Sequence, residues 1–257
     1  MHPGLHSGVQ RPKVTAMRTL VIGDIHGCSQ ALRTLLNAVQ PGPEDVLITL
    51  GDYVDRGPDS KGVIDLLLDL EKRTQLKPII GNHEILFLDV LNQRMSPEGW
   101  LRVGGEETVR SYGQQSESLS LASVDPRHIE FLTQRCLRYY EDDKNLYVHA
   151  NANAYYRLED QSDDWLFWTR FDHIFPHSSG KRIICGHTAQ KNGWPLVKPF
   201  AICIDTWVYG PQGWLTCLDV GAGSFIQANQ AGELRRSSVA DLAGPPTETP
   251  MRPRPEA

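Results

Sequence analysis

The sequence predicts an α/β protein built from two mixed β-sheets flanked by helices. Short apolar runs alternate with helix-period stretches through the first third of the chain, which is the pattern of layered strand–helix units. The strands are continuously apolar rather than alternating, as strands buried on both faces are. The last third returns to strand-like runs separated by turn glycines, so a second, partly antiparallel sheet is expected.

Taken in order, Thr19–Ile22 is a β-rich run ending at Gly23. Cys28, Ala31, Leu32, Leu35, Leu36 and Val39 then recur at helical spacing until Pro41 stops the helix. Val46–Leu50 is the second strand, and Asp59 or Ser60 caps a helix carrying Val63, Leu66, Leu67 and Leu70. Pro78–Ile80 is a third strand and Ile85–Leu91 begins a third helix. Asp125-Pro126 reads as an N-cap with a first-turn proline, with Ile129, Leu132, Cys136 and Tyr139 on one face. Leu146–Val148 is a strand, and Ser162-Asp163-Asp164 opens a helix bearing Trp165 and Trp168. The stretch Asp164–Phe175 is aromatic-rich and either lines the substrate rim or packs the core, core packing being preferred. Arg182–Cys185, Ala201–Ile204, Trp214–Leu218 and Ser224–Gln227 read as strands, with a hairpin at Gly210 and Gly213. Residues 1–16 read as a flexible leader, 17–231 as the catalytic domain and 232–257 as a disordered Pro-rich tail.

The chain's 257 residues carry a net charge of −5, which disfavours wrapping a phosphate backbone with clustered Lys and Arg. No apolar run approaches the roughly 18–20 residues that span a bilayer, and no secretory signal is recognisable. The five cysteines form no CxxC pair, which argues against a disulfide framework or zinc ribbon and for a reducing, cytoplasmic setting. Cys28, at a helix start, is the one position where a nucleophilic thiolate is conceivable; the packing alternative is preferred. Neither nucleic acid, membrane nor a regulatory subunit is expected as a partner.

The chemistry gathers where strands stop. Three loops follow strands: Gly23-Asp24-Ile25-His26-Gly27, Gly51-Asp52-Tyr53-Val54-Asp55-Arg56-Gly57 and Gly81-Asn82-His83-Glu84. His149 and His187 follow strands in the same way. Ligands of α/β sheets bind beyond the carboxyl ends of strands, so these segments converge on one rim. Asp oxygens, imidazole nitrogens and an Asn carbonyl, without thiolate, suit Mn, Fe or Zn, and the set is large enough for a dinuclear centre. The other histidines, at 2, 6, 128, 173 and 177, belong to no motif and are assigned to surface or structural roles.

In this order the motifs resemble the PPP-type serine/threonine phosphatases, bacterial type, of the calcineurin-like metallophosphoesterase superfamily. The resemblance covers roughly residues 18–220 and includes GGEETVRSYG and the late IDT and GWLTCLDV segments. It implies a calcineurin-like sandwich with two divalent metal ions, Mn first, Fe or Zn as alternatives. It implies that Asp24 and His26 bind one metal, Asp52 bridges both, and Asn82, His149 and His187 bind the other. His83 would protonate the leaving oxygen with Asp55 orienting it, while a metal-activated water attacks in line. Arg56 would hold phosphate, and Arg170 is chosen as the second phosphate arginine.

Two positions depart from the family pattern. Asn151 stands where Gly is common; it either accepts the same left-handed turn or alters the pocket floor. Trp207-Val208 replaces Gly-Ala and places an aromatic near the substrate rim. The expected activity is dephosphorylation of phosphoprotein or phosphopeptide Ser/Thr, extending to Tyr. The alternatives are a dinucleoside polyphosphate hydrolase, whose members often carry Gln at the position of His26 and Asp at that of Glu84, and an inactive metal-binding scaffold.

Overall fold

The computed structural model describes residues 17–113 and 124–244. Two sheets stack face to face. The first, six-stranded, contains β1 (Thr19–Ile22), β2 (Val46–Thr49), β3 (Gln75–Pro78), β9 (Leu215–Asp219), β10 (Ser224–Ala228) and β11 (Leu234–Ser238), in the order β11-β10-β9-β1-β2-β3. β1, β2 and β3 run parallel and β9, β10 and β11 antiparallel. The second contains β4 (Tyr139–Glu141), β5 (Asn145–Val148), β6 (Arg182–Cys185), β7 (Leu196–Lys198) and β8 (Ala201–Cys203), in the order β4-β5-β6-β8-β7. It too is mixed, with a parallel β5-β6-β8 centre.

Period-two side-chain direction explains why the central strands, buried on both faces, carry no polar face. Val21, Ile48, Leu50, Ile184, Ile202 and Phe225 fill the space between the sheets. Leu20, Ile22 and Leu47 point the other way, onto α1 (Ser29–Val39) and α2 (Ser60–Glu71). Ile183, Cys185, Ala201 and Cys203 pack on the outer face of the second sheet against Leu166, Phe167 and Phe171. Asp59 caps α2 by accepting from the Gly62 N–H at 2.9 Å. The helix α3 (Asn82–Leu91) starts inside the third motif. Beyond it, α4 (Pro97–Trp100) passes through a wide turn at Leu101–Gly105 into α5 (Glu106–Ser111). Asp125 and Pro126 open α6 (Pro126–Glu130) as cap and first-turn proline.

Several expectations are corrected. The third strand is Gln75–Pro78 and overlaps the expected 78–80 only at Pro78; Ile79 then bridges to Leu137. Tyr139 begins β4 instead of continuing the helical face. The glycines at 210 and 213 do not join two paired strands, because β8 and β9 belong to different sheets and the loop crosses between them. Trp168 is 41% exposed, so the aromatic stretch is not all core. The ordered body extends past 231: β11 pairs along β10 from Ala228↔Leu234 to Ser224↔Ser238, and a short α7 (Val239–Leu242) follows. The leader 1–16 and the end of the tail lie outside the described residues. Among the described residues no helix is long and apolar enough to cross a membrane.

Candidate metal centre and active site

The sequence motifs meet at the carboxyl ends of β1, β2, β5 and β6. The backbone there is bent into conformations that side chains resist. His26 (φ 44°), Asp52 (51°), Asp55 (74°), Arg56 (71°), His187 (63°) and Trp207 (59°) all lie in the left-handed region. The only other non-glycine residues there, among those described, are Gln40 and Gln93, which lie at the ends of helices α1 and α3. Strain of about 1–3 kcal/mol per residue persists only where surroundings over-determine it, and it clusters at functional sites. Gly186 shows the close packing: a Cβ there would collide with the Asp24 carboxylate.

Asp52 sits at the middle. Its Oδ2 lies 3.4 Å from His26 Nε2 and 4.0 Å from His83 Nε2, and its Oδ1 lies 3.5 Å from His149 Nε2. Two compact groups share it: His26, Asp52 and His83, and Asp52, His149 and His187. Asn82 Oδ1 joins the second, 2.8 Å from His149 Nε2 and 3.0 Å from His187 Nδ1.

The tautomers are set by carbonyl partners. His26 Nδ1 meets the Val54 carbonyl at 3.0 Å, and His149 Nδ1 meets that of Leu50 at 2.7 Å. His187 Nε2 meets the Trp168 carbonyl at 3.2 Å. A carbonyl only accepts, so each of these nitrogens carries the proton and the other nitrogen turns a lone pair inward. Burial lowers the pKa of all three rings, with His149 adding to it at His187, which is pushed down to about 4. They are therefore neutral near pH 7. Two imidazole lone pairs thus face one amide oxygen, a set of acceptors that a divalent cation bound among them would satisfy. The donors fit hard or borderline divalent ions.

Carboxylates crowd the same place. Burial raises the pKa of Asp24, and Asp205 and Asp52 add to it. Asp205 is pushed up to about 6, first by burial. Burial works the same way on Asp52, but the histidine rings, His149 foremost, hold it well below the usual carboxylate range. Asp24 accepts from the His187 N–H at 3.0 Å, and it belongs to neither compact donor group.

His83 is held differently. Its Nδ1 donates to Asp55 Oδ2 at 2.7 Å. Burial opposes its protonation, but Asp52 and Asp55 outweigh burial and raise its pKa. Asp55 is itself fixed by Trp100 Nε1 at 2.9 Å and Thr108 Oγ1 at 2.6 Å. Arg56 Nη1 reaches His26 Nε2 at 2.9 Å and the Tyr209 hydroxyl at 3.0 Å, with its guanidinium over the Tyr209 ring.

Glu84 ties the loops together. Its carboxylate accepts from the N–H groups of Asp52 (2.8 Å), Tyr53 (2.7 Å), Val54 (3.1 Å) and Gly81 (2.9 Å). Burial and Asp52 push its pKa up to about 8. Yet every partner is a donor, so a proton on Glu84 would point at another N–H. The geometry is that of the anion.

Asp24, His26, Asp52, Asn82, His83, Asp55, Arg56, His149 and His187 thus come together. Arg170 does not: its guanidinium is exposed and pairs with Asp172 at 3.4 Å. Asn151 is not left-handed; its amide bridges the Ala152 N–H and the Arg170 carbonyl, a buried tie a glycine could not make. Cys28 is buried and its pKa is pushed up to about 12, which makes it a packing residue. His128 is a buried structural link between Tyr112 and Asp65. Sequence reasoning missed Glu84 as loop anchor, Trp100 and Thr108 behind Asp55, and Tyr209 and Asp205. Glu84, Thr108 and Asp205 stood within quoted motifs; Trp100 and Tyr209 did not.

The family model for calcineurin-like phosphoesterases matches residues 17–205, and the chain belongs to that family. Among curated relatives, a serine/threonine-protein phosphatase 1 of Salmonella typhimurium is 37% identical over 103 residues, covering 38% of this chain and 45% of that protein. A symmetrical bis(5'-nucleosyl)-tetraphosphatase of Proteus mirabilis is 44% identical over 75 residues, covering 29% and 27%. The matches therefore span less than half of each of these relatives. A solved cold-active protein-tyrosine phosphatase of a psychrophilic Shewanella shares the fold at TM-score 0.58 and 17% identity, covering 86% of this chain and 80% of that one.

Proposed function

We propose that the chain is a metal-dependent phosphomonoesterase that removes phosphate from Ser/Thr phosphoproteins, with activity extending to Tyr. The observation that carries this reading is the His83–Asp55 pair, 2.7 Å apart and buried beside Asp52. A buried imidazole whose Nδ1 is fixed by a carboxylate presents Nε2 to a leaving oxygen, the arrangement a general acid needs. His26, Asp52, Asn82, His149 and His187 would hold two divalent ions, with Asp24 at their edge; Mn is the first choice. Divalent ions held there supply Lewis acidity to the phosphoryl group and to the attacking water.

The residues of the chain do the rest. Arg56 offers two parallel N–H groups to phosphate oxygens, and Tyr209 limits its swing. His83 donates from Nε2 to the departing oxygen, while Asp55 fixes the ring through Nδ1. Trp100 and Thr108 keep Asp55 aimed by occupying its oxygens. His26 and Glu84 support the monoester reading over the dinucleotide one, as does the 103-residue match to a serine/threonine phosphatase.

A second reading, symmetrical dinucleoside tetraphosphate hydrolysis, is favoured by the relatives of that name, one of them 32% identical over 145 residues. Purified protein with Mn, assayed on p-nitrophenyl phosphate, phosphoserine and phosphotyrosine peptides and diadenosine tetraphosphate, separates the two. Faster turnover of a monoester supports the first. Faster turnover of the dinucleotide than of every monoester replaces it with the second, and no turnover of any substrate removes both.

A further inference from the structure

The loop that crosses from β8 to β9 leaves the site directly after Asp205. Trp207 within it has φ 59°, a region that bulky side chains avoid and glycine enters freely. Several contacts hold it there. The Trp207 N–H donates to Asp205 Oδ1 at 3.0 Å, and its carbonyl accepts from the Gly210 N–H at 2.8 Å. Its ring lies so close on Gly210 that a Cβ at that position would strike it.

The ring is partly exposed and stands second in a row of rings leading to the centre. Trp207 meets Tyr209 edge-on at 6.2 Å between centroids, and Tyr209 meets His26 edge-on at 4.9 Å. The Tyr209 hydroxyl is the one that Arg56 holds. Lys191 extends its ammonium to 5.8 Å from the Trp207 centroid. A glycine would make this turn without strain, so the indole contributes something other than the turn. What it adds is an aromatic surface one ring beyond the phosphate clamp.

We infer that Trp207, backed by Tyr209, forms a leaving-group subsite that favours aryl phosphate monoesters of the phosphotyrosine class over alkyl monoesters. The inference rests on the phosphomonoesterase reading. In an aryl monoester the ring is bonded directly to the ester oxygen. Arg56 lies 4.8 Å from the Tyr209 centroid and Trp207 meets Tyr209 at 6.2 Å; the subsite requires that the ring of an ester held on Arg56 extend toward this surface, where aromatic pairs attract at roughly 4.5–7 Å. A seryl ester has no ring to place there, and a nucleobase stands a ribose further out. In the reaction the water oxygen forms the new P–O bond and the P–O bond to the aryl oxygen breaks. The phenol oxygen takes the Nε2 proton of His83, one proton of the water leaves with inorganic phosphate and the other restores His83.

The test compares wild type, Trp207→Gly and Trp207→Phe on phosphotyrosine and phosphoserine peptides with identical flanking residues and the same Mn concentration. The readout is the ratio of kcat/KM for the two peptides. Trp207→Gly is expected to lower the tyrosine-to-serine ratio by roughly two- to twelvefold, the size of one aromatic pair contact. Trp207→Phe is expected to keep most of it. Because glycine adopts this turn freely, a lost ratio in Trp207→Gly is not a folding defect, and an unchanged melting temperature checks that. A ratio unchanged in Trp207→Gly overturns the subsite while leaving the monoesterase reading intact. Absence of turnover of both peptides by wild type removes that reading and the subsite with it.

Discussion

Glu84→Gln isolates the contact on which the arrangement of the loops depends. The two carboxylate oxygens divide the work: Oε1 accepts from Tyr53 and Val54, and Oε2 from Asp52 and Gly81. A glutamine amide has one accepting oxygen and one donating nitrogen. Whichever way it turns, it keeps one pair of N–H groups and sets its own N–H bonds against the other pair. Two buried donors then lose their acceptor, at about 1–3 kcal/mol each, or roughly 2–6 kcal/mol in all. For a chain of this size each kcal/mol lowers Tm by about 2–4 °C, so a fall on the order of 10 °C is expected. Differential scanning fluorimetry of the metal-free protein measures it, because metal binding would add its own stabilisation. A Tm within about 2 °C of wild type would refute the reasoning. It would mean that Glu84 carries a proton in the folded protein, a state that glutamine mimics well.

Other consequences follow from the same geometry. His83→Asn should lower kcat by roughly 10²–10⁴, the usual cost of losing a general acid, while metal content by plasma mass spectrometry stays at the wild-type level; loss of metal would make His83 a ligand instead. The penalty should be smaller on an aryl than on an alkyl monoester, because a phenol with pKa about 10 needs less help to leave. Asp45 accepts from the Arg18 and Gly42 N–H groups at 3.0 and 2.9 Å and pairs with the Arg18 guanidinium at 2.5 Å. Burial would raise its pKa, but Arg18 and these N–H groups hold it below its ordinary value. Its contribution is therefore present at pH 7 and lost as pH falls below about 4 through the depressed folded value. The Tm gap between wild type and Asp45→Asn should close over that range, and a gap unchanged down to pH 3 would contradict the assignment.

The site was legible in the sequence because its residues sit in short loops directly after strands. A strand fixes where its last residue points, so Asp24, Asp52, Asn82, His149 and His187 could be placed on one rim before their mutual distances were known. What lay behind them was not legible. Trp100 and Thr108 reach Asp55 across 45 and 53 residues, from α4 and α5 on either side of a wide helical turn whose spacing matches no periodic template. Arg170 failed for the complementary reason: its neighbourhood was right, since the Trp168 carbonyl touches His187, but its own side chain leaves for solvent. The crossing at Thr206–Trp214 read as a hairpin because turn glycines mark a reversal without saying which sheet receives the next strand. β11 was missed because LRRSS is polar; it is an edge strand with one partner, and edge strands tolerate charge.

Asp52 is the residue on which a two-ion centre depends, as the ligand shared by both donor groups. Metal content after Mn loading and exhaustive dialysis, measured by plasma mass spectrometry on wild type and Asp52→Asn with circular dichroism as the fold control, tests it. The account expects about two ions per wild-type chain, and most of both lost together in a folded Asp52→Asn. A wild type that retains no metal, or a folded Asp52→Asn that retains both ions, would contradict it.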